Sequence, residues 1–565
     1  MNFKNKSIIG LMMGMSLVSL NSCTKDFVEI NSNIQTIYEL EPERLLYNVQ
    51  TNTRSSSWEW YYDYYSAQLR WMQYGCRIIG NTATTFTYFN NNIFDQRYKI
   101  CFLNTGSYMK HMEYYVKTNI PEEEQPQYSN AIEAARVTLI YQGIFTSDSH
   151  GSLAYTQGWN LRSGGDITEP EFDTQEKLYE IWDNELKTAI EKFKTNTNQK
   201  SLVGYDMAFN GDISKWIKTA NALRLRIASR YMKRNMEKAK SIAQEVLSQT
   251  DAIPSSIDDS FIFWLDGKYT NNGDLQSIND LIRPSNSFMT YLNKYNDPRK
   301  RMFFIENELS EENLNEWNSA NPDKQIPTNL GRWVGGTASF DKLTDPVEVA
   351  KYARNTLDPN GRAINMQPVN LPQVRIFSGN YNGGNGGTWF PNMTYAEFCF
   401  LAAEFSLNGI NNAKSAEQWY TDGVRASLEQ WSKIGEYCDV VDYAAITEEE
   451  INTFMAQEGI KWDESRGLEQ IYAQTYVENF KNSGETWAMY KRTGYPNATE
   501  GNIIQWEKCT VSGTEQKVPR RMRFAYPLEG TPNYANEVKR IDDMKKESNF
   551  GDPTNEFGRV WWDVE

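Results

Sequence analysis

The sequence predicts a mostly α-helical fold with few short strands. Long segments repeat apolar residues at helical spacing, whereas strand signals are sparse and short. The predicted helices also come in pairs, with small residues where two of them would approach closely. With 565 residues, the chain is long enough to bury a large core. We therefore predict a scaffold of stacked helix pairs.

The N-terminal segment has the features of a cleavable export signal. Lys4 and Lys6 are followed by thirteen uncharged, largely apolar residues, 8–20. This run fits a signal peptide and is too short for a membrane-spanning helix. Residues 20–23, Leu-Asn-Ser-Cys, resemble a bacterial lipobox, which implies cleavage after residue 22 and acylation of Cys23. A plain secretory signal followed by an accidental cysteine is the alternative.

Residues 58–74 form an unusually aromatic segment with eight Trp and Tyr side chains. On a helix these residues fall into two stripes separated by about 130°. Because a surface helix needs only one apolar stripe, this helix either lies within the core or presents one aromatic face to a ligand. We favour the core.

The clearest amphipathic helix is predicted within residues 172–193, where Asp173 and Glu176 form an N-terminal capping pair. A second lies within residues 211–234. Further helices are predicted near residues 129–147, 235–249, 394–408, 414–431, 446–457 and 465–480. Stretches rich in Gly, Asn and Pro indicate long loops at about residues 251–287 and 320–393.

Two helix pairs resemble tetratricopeptide repeats. The spacing Ala416-x-x-x-Tyr420-x-x-Gly423, after a helix with Ala403 at its middle, is typical of the second helix of such a repeat. The segment from Trp216 to Leu223 resembles a first helix. Small residues at these places allow paired helices to pack closely, which supports a tetratricopeptide-like scaffold.

The composition argues against nucleic-acid binding. The net charge is −15, and removal of a leader with two lysines and no acid makes it −17. Such a chain repels nucleic acid and anionic lipid. Aromatic residues make up 13% of a chain whose mean hydropathy is only −0.66. These rings serve a large core, or they lie exposed, where flat rings stack on sugars or recruit partners.

Few residues are available for catalysis or metal binding. The chain has two histidines, His111 and His150, and it lacks the sequence motifs of common hydrolases, nucleotide-binding loops and zinc proteases. Five cysteines follow Cys23 without C-x-x-C spacing. We therefore predict no catalytic residue, no metal site and no cofactor.

Several motifs, in this order, resemble those of SusD/RagB-type outer-membrane lipoproteins. They are CTKDFVEINSN from residue 23, IFTSDSHGSLAYTQGW from 144, FDTQEKLY from 172, GDISKWIKTANALRLRIASR from 211, NDPRK from 296, AEFCFLAAE from 396 and ETWAMYKRTGYP from 485. The resemblance therefore extends from residue 23 to about residue 496.

The resemblance implies a SusD-like fold, in which a loop-rich second part lies over tetratricopeptide-like helix pairs. It implies a signal peptide at residues 1–22 and one domain at 23–565. The helical scaffold would occupy about 36–250 and 394–495, with ligand-facing insertions at about 251–393. The protein would be lipid-anchored in the outer membrane and would face the cell exterior. It would bind nutrient oligosaccharide without cleaving it and deliver it to a SusC-like TonB-dependent transporter.

The matched motifs contain mainly scaffold residues. We expect the arginines of the 211–230 motif to pair with carboxylates between helices. The residues given this structural role are Asp148, Trp216, Asn221, Arg224, Arg226, Arg230 and Arg492.

Ligand contacts are predicted from composition, as aromatic residues flanked by glycines and amides in loops. The candidates are Tyr74, Tyr88, Asn90, Trp333, Trp389, Phe390 and Asn392. Three alternative functions remain open at this point: peptide binding by the same architecture, a secreted glycoside hydrolase, and an adhesion or scaffold protein.

Overall fold

The computed structural model describes residues 41–54, 63–64, 67–76, 96–265, 278, 282–351, 356–357, 361, 363–364 and 366–565. The predicted signal peptide, the lipidation site Cys23 and the candidate ligand residues Tyr88 and Asn90 lie outside these residues.

The first half of the described chain is helical. Its helices are α1 Pro42–Thr53, α2 Leu69–Trp71, α3 Gln96–Lys99, α4 Gly106–Asn119, α5 Ser129–His150, α6 Gln175–Thr195, α7 Ile213–Tyr231 and α8 Met236–Leu247. A π-helical segment, Ile100–Thr105, leads into α4.

The second half adds shorter helices and then a further group of long ones. These are α9 Asn286–Lys294, α10 Lys300–Phe303, α11 Glu311–Ala320, α12 Pro346–Ala350, α13 Tyr395–Leu407, α14 Ala416–Tyr437, α15 Glu448–Met455, α16 Gly467–Glu478, α17 Ser483–Thr493 and α18 Tyr534–Glu547. The mostly α-helical prediction is confirmed, and each long helix predicted by periodicity is present.

Strands are short throughout the described residues, and they pair only as two-stranded antiparallel ladders. They are β1 Gly75–Cys76, β2 Phe261–Leu265, β3 Arg283–Pro284, β4 Phe304–Ile305, β5 Thr356–Leu357, β6 Ala363–Ile364, β7 Leu371–Pro372, β8 Thr388–Met393, β9 Thr510–Val511 and β10 Thr514–Glu515. The longest ladder joins β2 to β8 and pairs Trp264 with Trp389.

Neighbouring helices pack closely where the sequence places small residues. A Cβ atom added to Gly423 of α14 would lie 2.7 Å from the Phe400 ring and 3.0 Å from Cβ of Cys399 on α13. The glycine therefore allows α13 and α14 to approach each other, as the tetratricopeptide-like spacing predicts. The described aromatic side chains of the segment 58–74, Tyr64, Trp71 and Tyr74, are buried.

One predicted helix start is wrong. Helix α6 begins at Gln175, and its N-cap is Thr174, whose side chain accepts from the backbone N–H of Lys177. Asp173 instead accepts from the backbone N–H of Thr156 at 2.8 Å and from the Lys177 ammonium at 2.7 Å. Asp173 thus joins the preceding loop to α6, a tertiary role that the capping pattern does not reveal.

Candidate ligand-binding site

The three arginines of α7 form salt bridges with carboxylates of other helices. Arg224 donates to Asp183 of α6 at 2.7 Å, and the Arg226 guanidinium donates to both carboxylate oxygens of Glu397 on α13 at 2.7 and 2.8 Å. All these side chains are buried. Each pair joins α7 to a different neighbour, which is the structural role expected from the sequence.

Asp148, near the end of α5, accepts hydrogen bonds from three other parts of the chain. Its carboxylate accepts from Arg230 at 2.8 Å, from the Tyr179 hydroxyl at 2.6 Å and from the Trp562 indole at 2.8 Å. Arg230 also donates to Glu485. The near-C-terminal Trp562 thereby becomes part of the arginine–carboxylate network, which the sequence motifs did not indicate.

One carboxylate of this network, Glu397, is less acidic than usual. Burial raises the pKa of Glu397 to about 7, against the attraction of Arg226. Glu485 lies 3.4 Å from the same Arg226 guanidinium, and its negative charge also favours the protonated form of Glu397.

The remaining scaffold candidates also bind other parts of the chain. The Trp216 indole donates to Asp206 at 2.8 Å, and the Asn221 amide donates to the Ala252 carbonyl at 2.8 Å. Arg492 donates to Glu404 at 2.7 Å. These contacts join loops and helices, and none of them leaves the side chain exposed.

Four of the candidate ligand residues lie in the core, which corrects the prediction for them. Tyr74 is fully buried, its ring stacks on Tyr476, and its hydroxyl lies 2.7 Å from the Thr486 hydroxyl. The other three are the strand residues Trp389, Phe390 and Asn392. The sequence around them, rich in glycine and amides, resembled a loop, but strand β8 is buried along its whole length against β2.

Trp333 is the described ligand candidate that lines a surface cavity. Its half-buried side chain borders a cavity of about 440 Å³ between the α9–α10 turn and α15. The other lining residues are Asn296, Asp297, Pro298, Lys300, Arg301, Glu449, Glu450, Thr453, Phe454 and Gln457.

Asn293, on α9, positions two groups of this cavity. Its side-chain amide donates to the backbone oxygen of Trp333 at 2.9 Å, and its amide oxygen accepts from the Lys300 ammonium at 3.2 Å. The Lys300 ammonium lies 4.9 Å from the centroid of the Trp333 ring. Burial lowers the pKa of Lys300, although Asp297 and Glu306 oppose this effect.

Two salt bridges fix side chains in the wall of the cavity. Arg301 binds both carboxylate oxygens of Glu450 at 2.7 and 2.9 Å. Asp297 is bound by the buried Arg299 at 2.6 and 3.0 Å. The cavity therefore combines an aromatic ring with amides, a threonine hydroxyl and partly neutralised charges.

The family follows from the sequence as a whole. The SusD-like family model described as "Starch-binding associating with outer membrane" matches residues 35–527. The chain belongs to the SusD-like family. No match was found among curated protein sequences. Within the described residues of this SusD-like protein, no helix is both long enough and apolar enough to cross a membrane.

Solved structures of the family share the fold of this SusD-like protein. A "chitin-binding protein" is 19% identical and superposes with a TM-score of 0.69 over 93% of this chain and all of its own. A chitin-binding SusD homologue from Flavobacterium johnsoniae is 20% identical, with a TM-score of 0.61 over 92% of this chain and 98% of its own. A SusD-like protein from Bacteroides thetaiotaomicron is 18% identical, with a TM-score of 0.63 over 93% of this chain and 99% of its own.

This SusD-like protein has a second, larger cavity of about 650 Å³ near its C-terminus. The Tyr490 and Trp506 rings, with centroids 5.2 Å apart, border this cavity together with Asn497 and Gln516. Arg520 and Arg559, also in its wall, are both bound to Asp563. We regard this cavity as the second candidate site, because its two arginines already share a carboxylate partner.

Sequence reasoning missed most of the Trp333 cavity of the SusD-like protein. In the sequence Lys300 stands out only as the last residue of the NDPRK motif, and no motif contains Thr453 or Gln457. The lining residues come from three separate segments of the chain, and more than 100 positions separate Trp333 from Glu449. No local pattern signals that these segments meet.

Proposed function

We propose that this protein is a cell-surface lipoprotein that binds nutrient oligosaccharide in the Trp333 cavity and delivers it to a partner transporter. The observation that carries the proposal is the half-buried Trp333 ring in a cavity of about 440 Å³, in a chain whose family is described as starch-binding and associated with the outer membrane. The printed names of two structural relatives, both chitin-binding, support a glycan as the ligand.

The chemistry of the cavity suits a sugar. An aromatic ring offers a flat apolar surface to the C–H face of a pyranose, and amides and hydroxyls bond its hydroxyl groups. Trp333 supplies the ring, while Asn296, Gln457 and Thr453 supply polar groups. A sugar held in this way needs no bond cleavage, so we propose binding without catalysis.

Membrane attachment is assigned to the lipid on Cys23 after removal of residues 1–22. The net charge of −15 disfavours electrostatic binding to anionic lipid. By family resemblance, the partner is a SusC-like TonB-dependent transporter in the outer membrane.

Titration calorimetry of the purified protein against a glycan panel that includes starch and chitin oligosaccharides tests the ligand assignment. Trp333→Ala should abolish measurable binding, whereas Trp462→Ala, which removes another half-buried tryptophan outside the cavity, should preserve it. Binding that survives Trp333→Ala and is lost in Tyr490→Ala would assign the ligand to the C-terminal cavity instead. Catalytic release of sugar would contradict a pure binding role, and binding of peptides alone would support the peptide alternative.

The anchor and the partner need a cellular experiment. In the native bacterium, labelled palmitate should be incorporated into the wild-type protein and not into Cys23→Ser. A barrel protein should co-purify with the labelled protein from outer membranes. Recovery of the wild-type protein as a soluble periplasmic species would contradict the proposed location.

A further inference from the structure

Lys300 is a nearly buried cation in the wall of the Trp333 cavity. The residue is 8% exposed, and its ammonium group has three N–H donors, of which one reaches the Asn293 amide oxygen at 3.2 Å. Within the part of the chain that the structure describes, it forms no salt bridge with a carboxylate. A cation this buried is normally paired.

Among the described residues, four other lysines place the ammonium over a tryptophan ring, and each has a strong acceptor that Lys300 lacks. The fully buried Lys481 and Lys491 donate to backbone carbonyls, at 2.5 Å to Ile376 and at 2.6 Å to Asp148. Lys414 lies 4.4 Å from the Trp419 centroid and is bound to Asp422 at 2.6 Å. Lys433 lies 5.8 Å from the Trp264 centroid and is bound to Asp258 at 2.9 Å. Both are more exposed than Lys300, yet each has a carboxylate partner.

The carboxylates around Lys300 have other partners. Asp297 is held by Arg299 and Glu450 by Arg301. Glu449 is exposed on the first turn of α15, where the positive end of the helix dipole stabilises its charge. The wall of the cavity thus contains one buried ammonium group whose charge is not matched by a bound carboxylate of its own.

We propose that the ligand of this cavity is an acidic glycan, and that a carboxylate or sulfate group of one sugar supplies the counter-ion of Lys300 while the ring of that sugar lies against Trp333. This inference rests on the proposed function and narrows its substrate class. A ligand that enters the cavity shields the Lys300 ammonium from water. An anionic group compensates for this loss, whereas the neutral form of the same sugar leaves the ammonium without a charged partner.

The test compares three oligosaccharides of one backbone: a uronic acid form, its carboxyl-reduced neutral form and a sulfated form. A charge-assisted hydrogen bond of about 1.5–3 kcal/mol predicts that the neutral form binds about 10- to 150-fold more weakly than the better of the two acidic forms. Whichever acidic form binds more tightly identifies the anion. Its binding should weaken as salt increases, whereas binding of the neutral form should not.

Lys300→Met removes the charge while retaining an unbranched side chain, and it should abolish the preference for the acidic form. Lys300→Arg should retain it. Lys414→Met, which removes a cation over tryptophan outside the cavity, should leave both affinities unchanged. Thermal unfolding of each variant would separate loss of folding from loss of selectivity.

The outcomes separate this inference from the proposed function. Equal affinity for neutral and acidic forms, with binding abolished by Trp333→Ala, would overturn the acidic preference and keep the sugar site. A preference that persists in Lys300→Met would also overturn it. Absence of binding to every sugar would contradict the proposed function itself, and tight binding of acidic peptides alone would replace the glycan by a peptide.

Discussion

The side-chain amide of Asn293 donates a hydrogen bond of 2.9 Å to the backbone oxygen of Trp333. The same amide holds the Lys300 ammonium through its oxygen. One exposed residue on α9 therefore connects a loop that carries the aromatic ring to the cation beside it. We regard Asn293 as a positioning residue of the cavity.

Asn293→Ala should weaken ligand binding by about 3- to 10-fold, because the loop and the lysine lose a shared hydrogen-bond partner worth about 0.5–1.5 kcal/mol. Titration calorimetry measures the effect. The matched control is Asn318→Ala, which removes a side-chain amide of α11 that bridges to the backbone of Ile326, away from the cavity lining. If the two variants bind ligand equally well, Asn293 has no positioning role.

Arg230→Met should destabilise the protein by about 3–5 kcal/mol. It leaves the buried Asp148 and Glu485 carboxylates without their shared cation, and breaking a buried pair by removing one partner costs this much. Denaturant unfolding is the measurement. Arg425→Met, which removes an exposed partner of Glu448, should cost about 0–1 kcal/mol. Similar values for both variants would show that the buried network adds little stability.

Trp562→Phe should cost more than Trp182→Phe, by about 1–3 kcal/mol. Both tryptophans are fully buried, so the loss of volume is comparable. The Trp562 indole donates to Asp148, whereas the Trp182 indole N–H has no hydrogen-bond partner among the described residues. The difference therefore reports the charge-assisted hydrogen bond. Equal unfolding free energies would contradict the role given to the C-terminal segment.

Glu397 should make the protein less stable as the pH rises from about 4.5 to about 7. Its pKa is raised to about 7 in the folded state, so the folded protein holds a proton that the unfolded chain releases near pH 4.5. The stabilising contribution is complete below the unfolded pKa and is lost as the pH rises through the folded one.

Glu397→Gln should flatten the dependence of the unfolding free energy on pH in this window, as measured by denaturant titrations at several pH values. Glu436→Gln, which makes the same substitution on α14, is the control for the effect of the substitution itself. A variant whose slope between pH 4.5 and 7 matches that of the wild type would refute the assignment.

Amphipathic spacing was sufficient to locate the long helices. The stripes that contain Trp182 and Trp216 correspond to buried faces of α6 and α7. The arginines that lie off the stripe in α7 were expected to bind carboxylates, and their partners lie on α5, α6 and α13. Local spacing can predict that such partners are needed, but it cannot name Asp148 or Glu397.

The candidate ligand residues show that local sequence does not predict which aromatic side chains are buried. Trp333 and Trp389 both lie near glycines in loop-like sequence, yet one borders a cavity and the other is buried against Trp431 and Trp264. Their burial differs because strand β8 pairs with β2, which lies more than 100 residues earlier. Single-sequence patterns carry no information about that pairing.

By itself, the sequence determined the helical scaffold and the family, because both depend on residues that are neighbours along the chain. Only the tertiary structure decided that Trp333 borders a cavity and that Lys300, beside it, has no salt bridge within the described residues. Burial and charge pairing depend on segments that come together in space, and the free energy of a charge is set by those distant neighbours.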